Sequence, residues 1–108
     1  MSSELGVKIQ KLRKEQKLTL DELAKKAGVS KSYLWELENR TPPSPSAAKL
    51  KSIAEQLKKP LEYFLDDDGK MSEQVADDIA FFRKYQTMPE ETKRKIRKVS
   101  EAMWDDDD

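Results

Sequence analysis

The sequence contains no cysteine and no histidine. Their absence excludes disulfide scaffolds, thiolate or imidazole metal sites, and Ser-His or Cys-His catalysis. Carboxylates, lysines, serines and tyrosines are present, but no spacing gathers them into a catalytic site. We therefore expect a protein that is not an enzyme and that holds neither a metal ion nor another cofactor.

Long apolar segments are missing as well. No run approaches the roughly 20 apolar residues that cross a bilayer, and the N-terminus lacks the apolar core of a signal peptide. Charged residues make up 39% of the 108 residues and hydrophobic residues 36%, which favours a small core beneath a highly solvated surface. We expect a soluble cytoplasmic protein with one domain, or one small domain with an appendage.

The chain also lacks an excess of either charge, because 21 Lys and Arg balance 21 Asp and Glu. Over the whole chain this argues against a nucleic-acid binder, since such proteins are usually basic. The halves differ, however: residues 1–60 hold 13 basic and 7 acidic side chains, and residues 61–108 hold 8 and 14. We therefore expect the two halves to contact different partners.

Strand signals are absent, because the chain has no alternating β-branched runs and only three glycines. Apolar residues instead recur at spacings of three and four, which indicates seven amphipathic helices. In chain order, their apolar residues are Leu5, Ile9 and Leu12; Leu23, Ala24 and Ala27; Leu34 and Leu37; Leu50, Ile53, Ala54 and Leu57; Leu61, Phe64 and Leu65; Val75, Ile79 and Phe82; and Ile96, Val99 and Met103.

Capping residues and prolines place the ends of these helices. Thr19 followed by Glu22 is a capping-box pattern, which predicts that the second helix begins near Leu20. Residues 66–70 are polar and have no apolar period, as is typical of a linker. The other start signals are Ser30, Ser46, Pro60 and Thr87 to Glu90, and the stop signals after Arg40 are Pro42, Pro43 and Pro45.

The second and third helices are short and joined by a glycine turn. Ala24, Gly28, Leu34 and Leu37 follow one another at spacings of four, six and three residues. The alanine lets the helices approach closely, the glycine permits a positive φ, and the leucines fix the third helix at a steep angle. This is the spacing of a helix-turn-helix, whose second helix lies in the DNA major groove.

Residues 5–65 resemble the Cro/cI-type helix-turn-helix domain of the XRE family. The resemblance covers just over half of the chain and implies an all-α fold, with a five-helix DNA-binding domain over residues 1–65. A linker at 66–70, two amphipathic helices over 71–104 and an acidic tail at 105–108 are then expected to follow. The matching segments are Ile9–Arg13, Leu18–Ala24, Ala27–Leu34, Glu36–Asn39, Pro45–Ser46 and Leu50–Ala54.

The exposed face of the third helix is the expected reading surface, because Leu34 and Leu37 share the opposite face. An ordinary solvated helix face is the alternative, and Trp35 could equally contact another protein. The resemblance implies base contacts from Lys31, Ser32, Trp35 and Glu36.

The phosphate contacts depart from the family pattern at one position. The family often has Gln as the first residue of the second helix, whereas this chain has Leu20, which cannot hydrogen-bond. The phosphate clamp must then rely on other groups, including the helix N-terminus. The side chains expected to contact phosphate are Lys17, Thr19, Tyr33, Asn39 and Arg40.

Arg13 and Glu38 flank the apolar stripes of the first and third helices. The family often pairs an Arg and a Glu at these positions. We therefore expect a partly buried salt bridge that fixes the two helices together, and a large loss of stability on removing one partner only if burial is deep.

Residues 71–104 carry two apolar stripes that need a partner. They can pack against residues 1–65, form a homodimer, or bind a different protein such as a toxin or a metallopeptidase. We favour a homodimer, because XRE-type repressors usually bind two-fold-related half-sites. The expected dimer or partner contacts are Val75, Ile79, Phe82, Ile96, Val99 and Met103.

Two acidic runs remain. Asp66 to Gly69 lacks the ligand alternation of an EF-hand, so no metal site is expected there, and Asp105 to Asp108 is expected to be a solvated, disordered end. The sequence thus predicts a sequence-specific DNA-binding transcriptional regulator, a dimeric repressor that places helix 31–39 in the major groove of an inverted-repeat operator. The alternative is an antitoxin-like or peptidase-controlled interaction module whose DNA binding is autoregulatory.

Overall fold

The computed structural model describes residues 4–40, 45–66 and 69–106, and these residues form seven α-helices without a strand. The predicted all-α fold is therefore confirmed. Pro42, Pro43, Asp67, Asp68, Asp107 and Asp108, which the sequence assigns to a helix stop, a linker and a tail, lie outside the described residues. The helices are α1 (Glu4–Glu15), α2 (Leu20–Ala27), α3 (Lys31–Asn39), α4 (Ala47–Gln56), α5 (Leu61–Leu65), α6 (Glu73–Gln86) and α7 (Glu90–Asp106).

Side-chain hydrogen bonds fix where several helices begin. Thr19 Oγ1 accepts from Glu22 N at 3.1 Å, and Glu22 Oε1 accepts from Thr19 N at 3.0 Å, which is the predicted capping box. The hydroxyl of the predicted cap Ser30 likewise accepts from Tyr33 N at 3.0 Å. These bonds satisfy N–H groups that the first turn of a helix leaves without a helical partner. Ser46 caps α4 as predicted, and Ser72, which the sequence reading does not use, caps α6.

The core lies among the first five helices. Helix α1 packs against α3 and α5, α2 packs against α3 and α4, and α4 packs against α5. Gly6 permits the close crossing of α1 and α3, because a Cβ there would collide with the carbonyl oxygens of Leu37 and Glu38. The largest fully buried apolar side chains are Ile9, Leu23, Leu34, Leu37, Leu50, Ile53, Leu57 and Phe64.

Helix α6 packs on this domain instead of standing apart from it. Ala76 is fully buried within the same core cluster, and Met71 packs against that cluster. Asp66 and Met71, which lie between α5 and α6, are also held: Lys8 Nζ donates to the carbonyl oxygen of Asp66 at 3.0 Å, and the Asp66 carboxylate accepts from Met71 N at 2.6 Å. Three ion pairs tie α6 to the domain: Lys11 with Glu73, Arg83 with Glu62, and Lys59 with Asp77.

Helix α7 has no buried residue in its described part. Val99 is 61% exposed, Met103 66% and Trp104 76%. Asp105 and Asp106, which the sequence assigns to a disordered tail, continue this helix instead.

The described ranges contain neither a membrane-spanning helix nor a metal-binding cluster. None of the helices there combines the length and the apolar character needed to span a membrane. Nor do the carboxylates there form a group that could hold a metal ion.

Candidate nucleic-acid interface

Helices α2 and α3 form a helix-turn-helix. Helix α2 ends at Gly28, whose φ is 70° and whose N–H donates to the carbonyl oxygen of Lys25 at 3.2 Å. Val29 N donates to the carbonyl oxygen of Ala24 at 3.0 Å, so a left-handed cap reverses the chain within a few residues. Leu34 and Leu37 are fully buried. One face of α3 is therefore fixed against the core, and the opposite face is open to solvent.

A buried ion pair fixes α3 against α1. Arg13 Nε donates to Glu38 Oε2 at 2.8 Å and Nη2 donates to Oε1 at 3.0 Å, while Nη1 donates to the carbonyl oxygen of Leu18 at 2.9 Å. Glu38 is only 2% exposed. Because a bidentate charge-assisted pair fixes geometry as well as distance, the orientation of α3 is held from its buried side.

An open cleft of about 300 Å³ lies on the solvent side of α3. It brings together the four side chains expected to read bases, namely Lys31, Ser32, Trp35 and Glu36, and adds Leu20 from the first turn of α2. Together they offer a cation, a hydroxyl, a carboxylate and an aromatic ring. These are the donors, acceptors and apolar surfaces that distinguish base edges in the major groove.

Trp35 is held from the C-terminal end of α3. The guanidinium carbon of Arg40 lies 5.5 Å from the Trp35 ring centroid, within the range of a cation–π contact. Asn39 Nδ2 donates to the carbonyl oxygen of Trp35 at 3.0 Å. Asn39 and Arg40 are two of the five side chains expected at phosphates. Arg40 is exposed beside the cleft, whereas Asn39 is half-buried and hydrogen-bonded within its own helix.

Tyr33 joins α3 to the start of α4. Its hydroxyl accepts from Ser46 N at 3.1 Å, and Lys49 Nζ lies 4.6 Å from its ring centroid. The N-terminus of α4, which carries partial positive charge, therefore lies beside Tyr33 and the exposed Lys49. Lys49 is not among the residues predicted at phosphates, because its contact with Tyr33 joins separate helices and no local spacing in the sequence indicates it.

Lys17 and Thr19 lie in the turn that precedes α2. Lys17 is exposed, with a φ of 58°, and Thr19 remains exposed while it caps α2. A cation beside a helix N-terminus is an arrangement that binds anions. Among the described residues, Lys17, Lys31 and Arg40 form no ion pair with a carboxylate.

The stripe residues of α6 and α7 lie on a separate surface. Val75 and Phe82 are 47% and 57% exposed, and Ile79 and Ile96 are half-buried. An open groove of about 450 Å³ separates α6 from α7 and is lined by Phe81, Phe82, Tyr85, Ile96, Arg97, Ser100, Glu101 and Trp104. A second groove runs along α7 and is lined by Lys95, Ile96, Val99, Ser100, Met103 and Trp104.

The side chain of Arg97 joins the middle of α7 to α6 and to the first turn of α7. Its Nη1 donates to the Tyr85 hydroxyl at 2.7 Å, and its Nη2 donates to Glu90 Oε1 at 2.8 Å. The second bond holds the pKa of Glu90 below its ordinary value. The predicted stripes do not include Phe81, Tyr85 or Trp104. Each stripe follows one face of one helix, whereas these three side chains line the groove between α6 and α7.

Comparisons with known proteins agree with this geometry. The helix-turn-helix family model matches residues 9–64. The HTH-type transcriptional regulator SinR of Bacillus subtilis (strain 168) is 38% identical over 63 residues, which cover 58% of this chain and 57% of SinR. The HTH-type transcriptional repressor RghR of the same organism is 35% identical over 97 residues, which cover 90% of this chain and 65% of RghR. The chain thus spans less than two thirds of the length of these relatives.

Two solved structures extend the likeness. A crystal structure of SinR, described as the master regulator for biofilm formation, in complex with DNA has a TM-score of 0.55 and 39% identity, covering 57% of this chain and 98% of that chain. A SinR protein/SinI protein complex has a TM-score of 0.56 and 25% identity, covering 96% of this chain and 99% of that chain. The family match spans more than half of the chain and includes α2, the Gly28 turn and α3. The chain belongs to the XRE-type helix-turn-helix family of transcriptional regulators.

Proposed function

We propose that the protein is a sequence-specific DNA-binding transcriptional regulator that places α3 in the major groove. The observation that carries this proposal is the cleft that groups Lys31, Ser32, Trp35 and Glu36 on the open face of a helix whose other face is fixed. The presence of DNA in the SinR complex supports the proposal that this protein also binds DNA.

The side chains around the cleft divide into two sets with different chemistry. Lys31 donates to guanine O6 and N7, Glu36 accepts from cytosine N4, and Ser32 can do either. The cations and the helix N-termini around the cleft hold phosphates, which fixes the register without reading sequence. The phosphate set is Lys17, Thr19, Tyr33, Asn39 and Arg40, to which we add Lys49.

Selection from random duplexes, followed by titration at two salt concentrations, tests this assignment. We expect Lys31→Ala and Glu36→Gln to change the preferred bases. Lys17→Ala and Lys49→Ala should weaken all sequences about equally and lower the salt slope by about 0.9 for each lost phosphate contact. Lys84→Ala, at an exposed lysine of α6, is the matched control and should change neither quantity.

Two results would contradict the proposal. Failure to enrich any sequence would rule out a sequence-specific regulator. An even loss of affinity over all sequences in Lys31→Ala would show that Lys31 does not read bases.

The proposal includes a homodimer formed through the apolar stripe of α7, in which Val99 and Met103 are 61% and 66% exposed. An antiparallel pair of α7 helices, related by a two-fold axis between Val99 and Ser100, sets Ile96 opposite Met103, and this apolar pair occurs twice. At about 100° per residue, Lys98 and Glu101 lie on the opposite side of the helix from this stripe, so they do not enter the contact. Such a dimer presents two copies of α3 to an inverted repeat. The similarity to RghR, a transcriptional repressor, supports the proposal that the protein is a repressor.

A charge placed in the apolar stripe tests this dimer. Val99→Asp puts a carboxylate into the apolar contact and should weaken dimerisation, whereas the control Lys98→Asp, on the opposite side of α7, should leave it unchanged. Light scattering over a concentration series measures the association. A monomer at every concentration, or a dimer indifferent to Val99→Asp, would contradict this arrangement.

Binding of a different protein through residues 71–104 is the second candidate. The match over nearly the whole chain to a SinR protein/SinI protein complex favours it. A chain that stays monomeric in the light-scattering series and that binds DNA only weakly would favour this interaction module, antitoxin-like or peptidase-controlled, over the dimeric repressor.

A further inference from the structure

The cleft on α3 has an apolar lining as well as a polar one. Leu20 and Trp35 form the apolar part, and Lys31, Ser32 and Glu36 form the polar part. Leu20 is half-buried and packs against the core, whereas Trp35 remains 44% exposed. Apolar surface open to water beside a cation and a hydroxyl suits a ligand that carries a small apolar group next to a hydrogen-bond acceptor.

We infer that Leu20 and Trp35 form a recognition site for the 5-methyl group of thymine in the major groove, an inference that rests on the proposed DNA-binding function. Thymine presents this methyl group beside its O4 acceptor, and no other base of unmodified DNA presents a methyl group there. Leu20 and Trp35 contact the methyl group, and the hydroxyl of Ser32 or the ammonium of Lys31 donates to O4.

Both apolar side chains are held in place before DNA binds. Leu20 begins α2, whose start is fixed by the capping box of Thr19 and Glu22. Trp35 is held by the guanidinium of Arg40, 5.5 Å from its ring centroid. These two side chains then lose little conformational freedom when they contact DNA. The site can therefore distinguish thymine from a base that lacks the methyl group. Lys31 also makes the cleft complementary to a polyanion.

The test uses the full chain and the duplex that it selects from a random pool. Each thymine of this duplex is replaced singly by deoxyuridine, which removes only the methyl group. We expect about a fourfold loss of affinity at one thymine in each half-site, as for the loss of one buried methyl group, and little change at thymines elsewhere.

Variants then assign the effect to the cleft. Leu20→Ala and Trp35→Ala should each bind the thymine and deoxyuridine duplexes with nearly equal affinity. Leu61→Ala is the matched control, because Leu61 is also a half-buried leucine at the first position of a helix but lines a different groove, and it should keep the discrimination. If Leu20→Ala lowers the melting temperature too far, Leu20→Gln preserves the length of the side chain and should also abolish the discrimination.

The outcomes separate this inference from the function on which it rests. A selected sequence that binds equally well with deoxyuridine at every thymine overturns the methyl site and leaves the DNA-binding function standing. Discrimination that persists in folded Leu20 variants overturns the role of Leu20. Failure to select any sequence refutes the DNA-binding function, and the methyl site with it.

Discussion

Replacing Arg13 with methionine should destabilise the domain by far more than the loss of a surface charge. The side chains of Arg13 and Glu38 are 11% and 1% exposed, and two hydrogen bonds of 2.8 and 3.0 Å join them. Arg13→Met leaves the carboxylate buried without a cation, which costs about 3–5 kcal/mol of the free energy of unfolding. A third hydrogen bond, to the carbonyl oxygen of Leu18, is lost as well.

The expected loss is a large share of the roughly 5–15 kcal/mol that stabilises a small domain. At roughly 4–8 °C for each kcal/mol, the melting temperature should fall by at least about 12 °C. Urea unfolding followed by circular dichroism measures the free energy. The double variant Arg13→Met/Glu38→Leu should recover most of it, because an apolar pair of similar volume leaves no buried charge.

Lys14→Met is the matched control for this prediction, since Lys14 is the exposed neighbour of Arg13 in α1. It should change the free energy of unfolding by no more than about 0.5 kcal/mol. A cost below about 1 kcal/mol for Arg13→Met would equal that of an exposed ion pair. Such a result would refute the conclusion that this pair holds α3 in place.

Three further predictions concern the turn, the capping box and the position of α6. Gly28→Ala should cost about 1 kcal/mol in urea unfolding, because its φ of 70° is strained for alanine although no atom lies near the added Cβ, and an unchanged midpoint would contradict this. The hydrogen bond from the Thr19 N–H lowers the pKa of Glu22 below 4.5 in the folded protein. The Glu22 carboxylate therefore stabilises the fold above pH 4.5, and this stabilisation is lost as the pH falls through the pKa of Glu22 in the folded protein. The difference in melting temperature between the protein and Glu22→Gln should therefore shrink on acidification, and a difference independent of pH would count against it. Ala76→Asp should place a charge in the contact between α6 and the core and speed hydrogen exchange in α6 relative to α3; an exchange rate in α6 that the substitution leaves unchanged would show that Ala76 does not hold α6 there.

The helix-turn-helix could be predicted because its signals are local. The capping box of Thr19 and Glu22 and the left-handed Gly28 each act within a few residues, so their spacing in the sequence specifies their geometry. The grouping of Lys31, Ser32, Trp35 and Glu36 could also be predicted, because the buried face of a helix determines which side chains lie on its exposed face. Leu20 joins them only through the crossing of α2 and α3. The predicted roles of these residues at bases and phosphates remain proposals.

The position of α6 could not be predicted in this way. Ala76 resembles any small residue of an amphipathic helix, and its burial depends on contacts between α6 and the first five helices that are distant in sequence. The ion pair of Lys11 with Glu73 joins residues 62 positions apart, and each partner alone resembles a solvated charge. The spacing of apolar residues alone therefore does not determine whether residues 71–104 pack on the domain. In the structure, α6 packs on the domain, whereas α7 has no buried residue in its described part.

This division also explains how a chain of zero net charge can present a basic surface. The pairs of Lys11 with Glu73 and of Lys59 with Asp77 join cations of the basic half to acids of the acidic half. Some of the opposite charges of the two halves therefore form ion pairs that hold α6 on the domain. The cations around α3 lie outside these pairs, and Lys17, Lys31 and Arg40 have no carboxylate partner among the described residues. Because exposed charges beyond about 10 Å are largely screened at moderate salt, DNA at α3 would experience these local cations and not the balanced total.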